Sequence, residues 1–151
     1  MKKNIAFLVA LFVLTFAVNV KAADHSSHGA ERKTATVHEE VVEGVKATFN
    51  VQTMSDAMKA MGMDMPREVK ETHHISVSFK DTKTGKALTE GTVAIKIQNP
   101  DKTSQSKDLN GMHGHFGADF NFSRSGKYGI MCKFVTRDGK IRQAKFWYPV
   151  K

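Results

Sequence analysis

The sequence predicts an all-β fold, two packed sheets with one short methionine-rich helix. Three observations carry this. Apolar residues alternate with polar ones over six separate stretches, so each stretch buries one face of a strand. Turn residues punctuate those stretches at regular intervals. The chain has 151 residues, 40% hydrophobic and 25% charged, which suits one globular domain rather than a disordered chain.

The strands follow in order. Val45, Ala47, Phe49 and Val51 form the buried face of the first. Ile75, Val77 and Phe79 form the second, ended by a turn from Asp81 to Lys86 around Gly85. Val93, Ile95 and Ile97 form the third, closed by Asn99-Pro100-Asp101. Phe116, Ala118, Phe120 and Phe122 form the fourth, then Tyr128, Ile130, Cys132 and Phe134 the fifth, ended by Arg137-Asp138-Gly139-Lys140. Ala144, Phe146, Tyr148 and Val150 form the sixth, and a seventh strand lies near Gln105 to Leu109. About seven short strands of this kind make an immunoglobulin-like β-sandwich, without the usual Cys-Trp-Cys spacing. Between the first two strands, Thr53 or Ser55 caps a helix with Asp56 in its first turn, and Gly62 and Pro66 end it. This places a short helix across one end of the sandwich.

The amino terminus reads as an export signal. Met1-Lys2-Lys3 is a basic start, and Ile5 to Val18 is an apolar run of about 14 residues broken only by Thr15, short for a membrane span. Val20-Lys21-Ala22 fits a cleavage site after Ala22 better than after Ala23, where Lys21 would take the place of a small residue. The expected organisation is a signal peptide at 1–22, a His-containing tail at 23–40 and the β-sandwich domain at 41–151. The protein is then exported, periplasmic in a Gram-negative cell, and touches a membrane only through the signal peptide before its removal. Removing three lysines with that segment lowers the formal charge from +8 to +5. The remaining positive residues are spread along the chain, which argues against nucleic acid as a partner.

His and Met are frequent, 7 and 8 in all, and they cluster. A processed chain would begin Ala23-Asp24-His25. The free Ala23 amine, two backbone amides and the third-position imidazole of His25 form a square-planar nitrogen set suited to Cu(II) or Ni(II). Met54, Met58, Met61 and Met65 fall at one helical stripe, whereas Met61, Met63 and Met65 alternate once the helix has ended. Met54 and Met58 read as packing. For Met61, Met63 and Met65 two readings stand: soft thioether ligands for Cu(I), or adaptable apolar filler.

The third cluster is His73-His74 with Met112, His113 and His115. Strand parity sends His73 toward the core or its rim and His74 outward with Ser76 and Ser78. His73 reads as a core-edge histidine bonded to backbone or as a ligand. Met112 and His113 fall in a loop before the strand that starts at His115, where His113 and His115 are either exposed loop histidines or ligands. If the two groups meet, two or three imidazoles and a thioether accept copper in either oxidation state.

Other chemistries lack their residues. One cysteine excludes an intrachain disulfide, and there is no C-x-x-C-H, Walker A, G-x-S-x-G or H-E-x-x-H sequence. Cys132 shares parity with Ile130 and Phe134 and reads as buried filler; no His or Met follows it, so a blue-copper site lacks its ligands. No carboxylate pair or Ser-His-Asp arrangement supports catalysis, and the expectation is a protein that is not an enzyme. Trp147 lies opposite Phe146 and Tyr148 and is a weak pointer to a partner surface.

Thr72-His73-His74 opening a strand, Thr84-Gly85-Lys86 in a turn, and Gly91-Thr92-Val93 opening the next strand resemble YtkA-like domains. So do Met112 to Gly117 and the Gly126-Lys127-Tyr128 strand entry. The resemblance covers residues 41 to 150, and its motifs are mostly turn and strand signals. These exported immunoglobulin-like modules, related in style to the FixH group, occur among copper-handling and respiratory-oxidase assembly functions. The resemblance implies metal or assembly work, with His73, His74, Met112 and His115 at its recurrent donor positions. The expectation is an exported copper-binding accessory protein working with a copper-handling or respiratory-complex partner. The alternative is an interaction module without metal that assists assembly of a membrane or respiratory complex.

Overall fold

A computed structural model describes residues 35–66 and 68–151. The predicted signal peptide and the Ala23–His25 site lie outside the described residues. Ten strands and one helix follow in order: β1 (Thr36–Val42), β2 (Val45–Thr53), α1 (Met54–Ala60), β3 (His73–Asp81), β4 (Ala87–Leu88), β5 (Gly91–Gln98), β6 (Ser104–Asp108), β7 (Asn110–Met112), β8 (His115–Phe120), β9 (Gly126–Thr136) and β10 (Ile141–Val150). One sheet runs β1-β2-β3-β8-β7, with β4 on β3; the other runs β10-β9-β5-β6. All pairings are antiparallel. The described residues thus form an all-β immunoglobulin-like sandwich with one short helix.

The inward faces are those the alternation marks. Phe49, Ile75, Val77 and Phe120 of the first sheet meet Ile95, Ile97, Ile130 and Phe134 of the second, all fully buried. Tyr128 opens β9 and anchors the corner before it: its hydroxyl donates to the Arg124 carbonyl at 2.9 Å and accepts the Arg124 N–H at 3.2 Å. A buried tyrosine returned to backbone just upstream is a fixture of this architecture. Cys132 is buried between Ile95 and Ala144, its partners across the sheet. Burial pushes its thiol up to about 12.

Three strands exceed the seven expected, and none has a pattern to reveal it. β4 is two residues long and β7 three, both held by backbone pairing. β1 starts at Thr36, within the stretch that reads as tail, because its pairing with β2 and the stack of His38 on Phe146 (4.5 Å between ring centres) hold it. Helix α1 is capped by Thr53, whose hydroxyl accepts the Asp56 N–H, and Gly62 takes a left-handed φ of 69° just after it. No helix of the described residues is long and apolar enough to cross a membrane.

Arg142 is a buried charge at one end of the sandwich. It donates to Asp138 Oδ2 at 2.6 Å, to the Thr136 hydroxyl at 3.1 Å and to the Glu43 carbonyl at 3.2 Å. The guanidinium holds the Asp138 carboxyl well below the usual carboxylate range. A carboxyl depressed in the folded state adds stability that is complete above its unfolded pKa of about 4 and is lost as pH falls toward the folded value. The melting temperature should therefore decline as pH drops below about 4. Asp138→Asn should flatten that acid limb, as thermal melts at stepped pH would show.

Candidate metal centre

The site lies on the outer face of the first sheet. His73 and His74 are consecutive on β3, so they point to opposite faces. His73 turns inward: Thr72 Oγ1 lies 2.8 Å from its Nδ1, and its ring centre is 5.0 Å from Phe122 and 6.4 Å from Tyr148. Burial lowers its pKa. It occupies the aromatic rim of the core, on the opposite side of the sheet from His74.

His74 pairs across the sheet with Asp119 of β8, and its Nδ1–H donates to Asp119 Oδ1 at 2.6 Å. An ionised carboxylate only accepts, so this bond places a proton on Nδ1 and, in the neutral ring, leaves the lone pair on Nε2. The ring lies across Gly117: a Cβ built there would fall 2.8 Å from Nε2 and 2.9 Å from Cε1. A carboxylate on one imidazole nitrogen, orienting the other, is how metal-binding histidines are commonly held. Asp119 and Gly117 were not singled out by sequence reasoning. The alternation 115, 117, 119 placed them on one face, but their pairing with His74 is a matter of register.

Two residues before Gly117 on β8 is His115, half-buried on the same face. Burial lowers its pKa first, and the charges of His74 and His113 lower it further, against a bond to the His113 backbone that raises it. The His115 imidazole therefore stays neutral, and open to a metal, further into mild acid than a free histidine. Its partner across the β7–β8 hairpin is Met112. This stretch, read from sequence as a loop, is a two-residue hairpin. His113 and Gly114 both have positive φ, 44° and 85°, the geometry whose twist matches antiparallel strands. The turn sets the exposed Met112 beside His115 and leaves His113 at its tip, exposed.

His74, His115 and Met112 thus share one face, two imidazoles and a thioether. Among the described residues no three His, Cys, Asp or Glu side chains gather around one point, so any centre here needs the thioether or ligands from elsewhere. Met61, Met63 and Met65 follow α1 and are exposed, at 61%, 48% and 44%. The helix packs against β2 and β3, and the Met54 N–H bonds to the Thr72 carbonyl, so the methionine run leaves from the end of the sheet where His73 and His74 enter.

No family model and no curated protein matches the sequence. Solved structures do share the fold. FetP of uropathogenic Escherichia coli aligns with a TM-score of 0.57 and 11% identity over 76% of this chain and 93% of that one. A copper-bound variant of FetP aligns at 0.59 and 12% over 76% and 89%. A DUF4426 family protein from Pseudomonas aeruginosa aligns at 0.56 and 14% over 75% and 96%. At such identities the likeness is one of fold.

Proposed function

We propose that this chain is an exported, periplasmic copper-binding accessory protein of the YtkA-like kind, not an enzyme, which holds copper or passes it on. One observation carries the reading: the Asp119–His74 bond, which orients an imidazole over Gly117 on the face that also bears His115 and Met112. The donor set fits copper, since imidazole serves both oxidation states and thioether favours Cu(I). The shared fold with copper-bound FetP supports the choice of metal. His74, His115 and Met112 form the proposed centre, His113 lies next to it, and Met61, Met63 and Met65 supply a separate thioether stretch. Copper bound there would supply a soft cation for transfer; the chain's own part is to orient the His74 imidazole through Asp119.

The test is an anaerobic Cu(I) titration of the exported protein against a competing chelator. Binding of about one equivalent is expected, with a loss of about 10-fold or more in His74→Ala, His115→Ala and Met112→Leu. Changing Met61, Met63 and Met65 together to Leu separates their contribution. Wild-type protein that fails to compete for Cu(I) would overturn the copper reading. The exposed Trp147, at 65%, favours a second reading, an interaction module for a membrane or respiratory complex, and that outcome would move the weight to it.

A further inference from the structure

The outer face of the second sheet faces away from the candidate metal centre and differs from it in every respect. Register places its residues in rows. Lys145, Met131, Lys96 and Ser106 lie side by side across the four strands. The next row is Trp147, Gly129, Gln98 and Ser104; on the other side lie Gln143, Lys133, Ala94 and Asp108. Lys127 pairs with Pro149 beyond the tryptophan. Four lysines therefore share this face with one acid, Asp108, which sits on the far edge strand. Among the described residues the lysines in ion pairs are Lys46 and Lys107; Lys96, Lys127, Lys133 and Lys145 are in none.

Trp147 is the chain's single tryptophan and is 65% exposed. Its ring lies on Gly129, where a Cβ would come within 3.1 Å of Cζ3. The glycine gives the indole a flat seat, so a large amphipathic ring is displayed at fixed height among lysines. The depression beside it holds about 210 Å³, below the range of small-molecule sites.

We propose that this face docks on an anionic phospholipid surface, with Trp147 at headgroup level and Lys96, Lys127, Lys133 and Lys145 on the lipid phosphates. Charge complementarity calls for an anionic partner. Between a membrane and an acidic protein, the lysines favour the membrane: lysine is depleted in protein–protein interfaces, whereas lysines next to anionic lipid each add binding; the tryptophan suits a membrane–water boundary as it would a protein interface. Sequence reasoning gave membrane contact to the leader alone; this face gives the folded domain a contact of its own. Docked in this way, the His74–His115 face points away from the bilayer.

The test uses protein recovered after export and vesicles of phosphatidylcholine alone or with about a third phosphatidylglycerol. Wild type should sediment with the anionic vesicles only, release in high salt, and show a blue shift of Trp147 emission on binding. A variant with Lys96, Lys133 and Lys145 changed to Gln, checked for an unchanged melt, should lose on the order of 100-fold in partition, about fivefold per lysine. Trp147→Ala in the otherwise wild-type chain should also weaken binding to the anionic vesicles, leaving the lysine-dependent, salt-sensitive part. Equal binding to neutral vesicles, or an unaffected triple variant, overturns the proposal. Binding to polyglutamate but not to anionic vesicles also overturns it and assigns the face to an acidic protein.

Discussion

Gly117→Ala should release His74 from its carboxylate and lower copper affinity by about 10- to 100-fold, with the fold intact. A methyl group at this position would sit 2.8 Å from Nε2 and 2.9 Å from Cε1, closer than non-bonded atoms tolerate. The ring cannot yield a little, because Asp119 holds its far side at 2.6 Å. It must rotate out, and the bond that selects its tautomer breaks. The backbone itself gains from the change, since glycine inside a strand costs about 0.5–1 kcal/mol relative to alanine. The melting temperature should therefore stay within a few degrees of wild type. Nitrogen chemical shifts of the imidazoles give a readout that needs no metal: wild-type His74 should show the Nδ1–H form, and the variant a mixture. An unchanged tautomer would mean that the ring is not seated on Gly117, and the centre as described would fail.

Phe134→Ala should cost about 3–5 kcal/mol, the range for emptying a buried aromatic site. Phe134 is 1% exposed and stacks on Phe79 at 4.4 Å between ring centres. Phe79 belongs to β3 and Phe134 to β9, so the pair joins the two sheets at the core. Strands on both sides are fixed by their ladders and cannot close the gap, so much of the cavity should persist. The midpoint of thermal unfolding should fall by roughly 10–20 °C for a domain of this size. Val135→Ala, one residue on and facing outward, should cost under about 1 kcal/mol. Similar losses at both positions would show that the sheets do not pack through Phe134.

Most of the fold was legible because alternation is local. A period of two states which face of a strand is buried without reference to its neighbours, and it separated His73 from His74. The helix was legible from its caps for the same reason. Register is not local. The bond between His74 and Asp119 joins residues 45 apart, and a slip of one position would send one of them to the core. Only the paired strands show that Gly117 is the floor beneath an imidazole. β1, β4 and β7 escaped for a related reason: β4 and β7 are very short strands held by backbone pairing, and β1 is an edge strand held by its pairing with β2 and the stack of His38 on Phe146, neither visible in its own sequence. Met112 was read as loop because a two-residue hairpin with His113 at its first central position lacks the usual asparagine or glycine signal there.

The buried Cys132 makes the folding state of this chain a chemical variable. With its thiol pushed up to about 12 by burial, the thiolate is strongly disfavoured at pH 7, and the sulfur is sealed between the sheets. Disulfide exchange with other proteins is closed to the native molecule. In an unfolded chain the same thiol returns to about 8.5 and is open to attack. Each excursion from the native state thus starts a timer, in which refolding competes with covalent capture by any oxidised thiol nearby. The sandwich protects its cysteine by burial, so whatever lowers the unfolded population also lowers its exposure to oxidants.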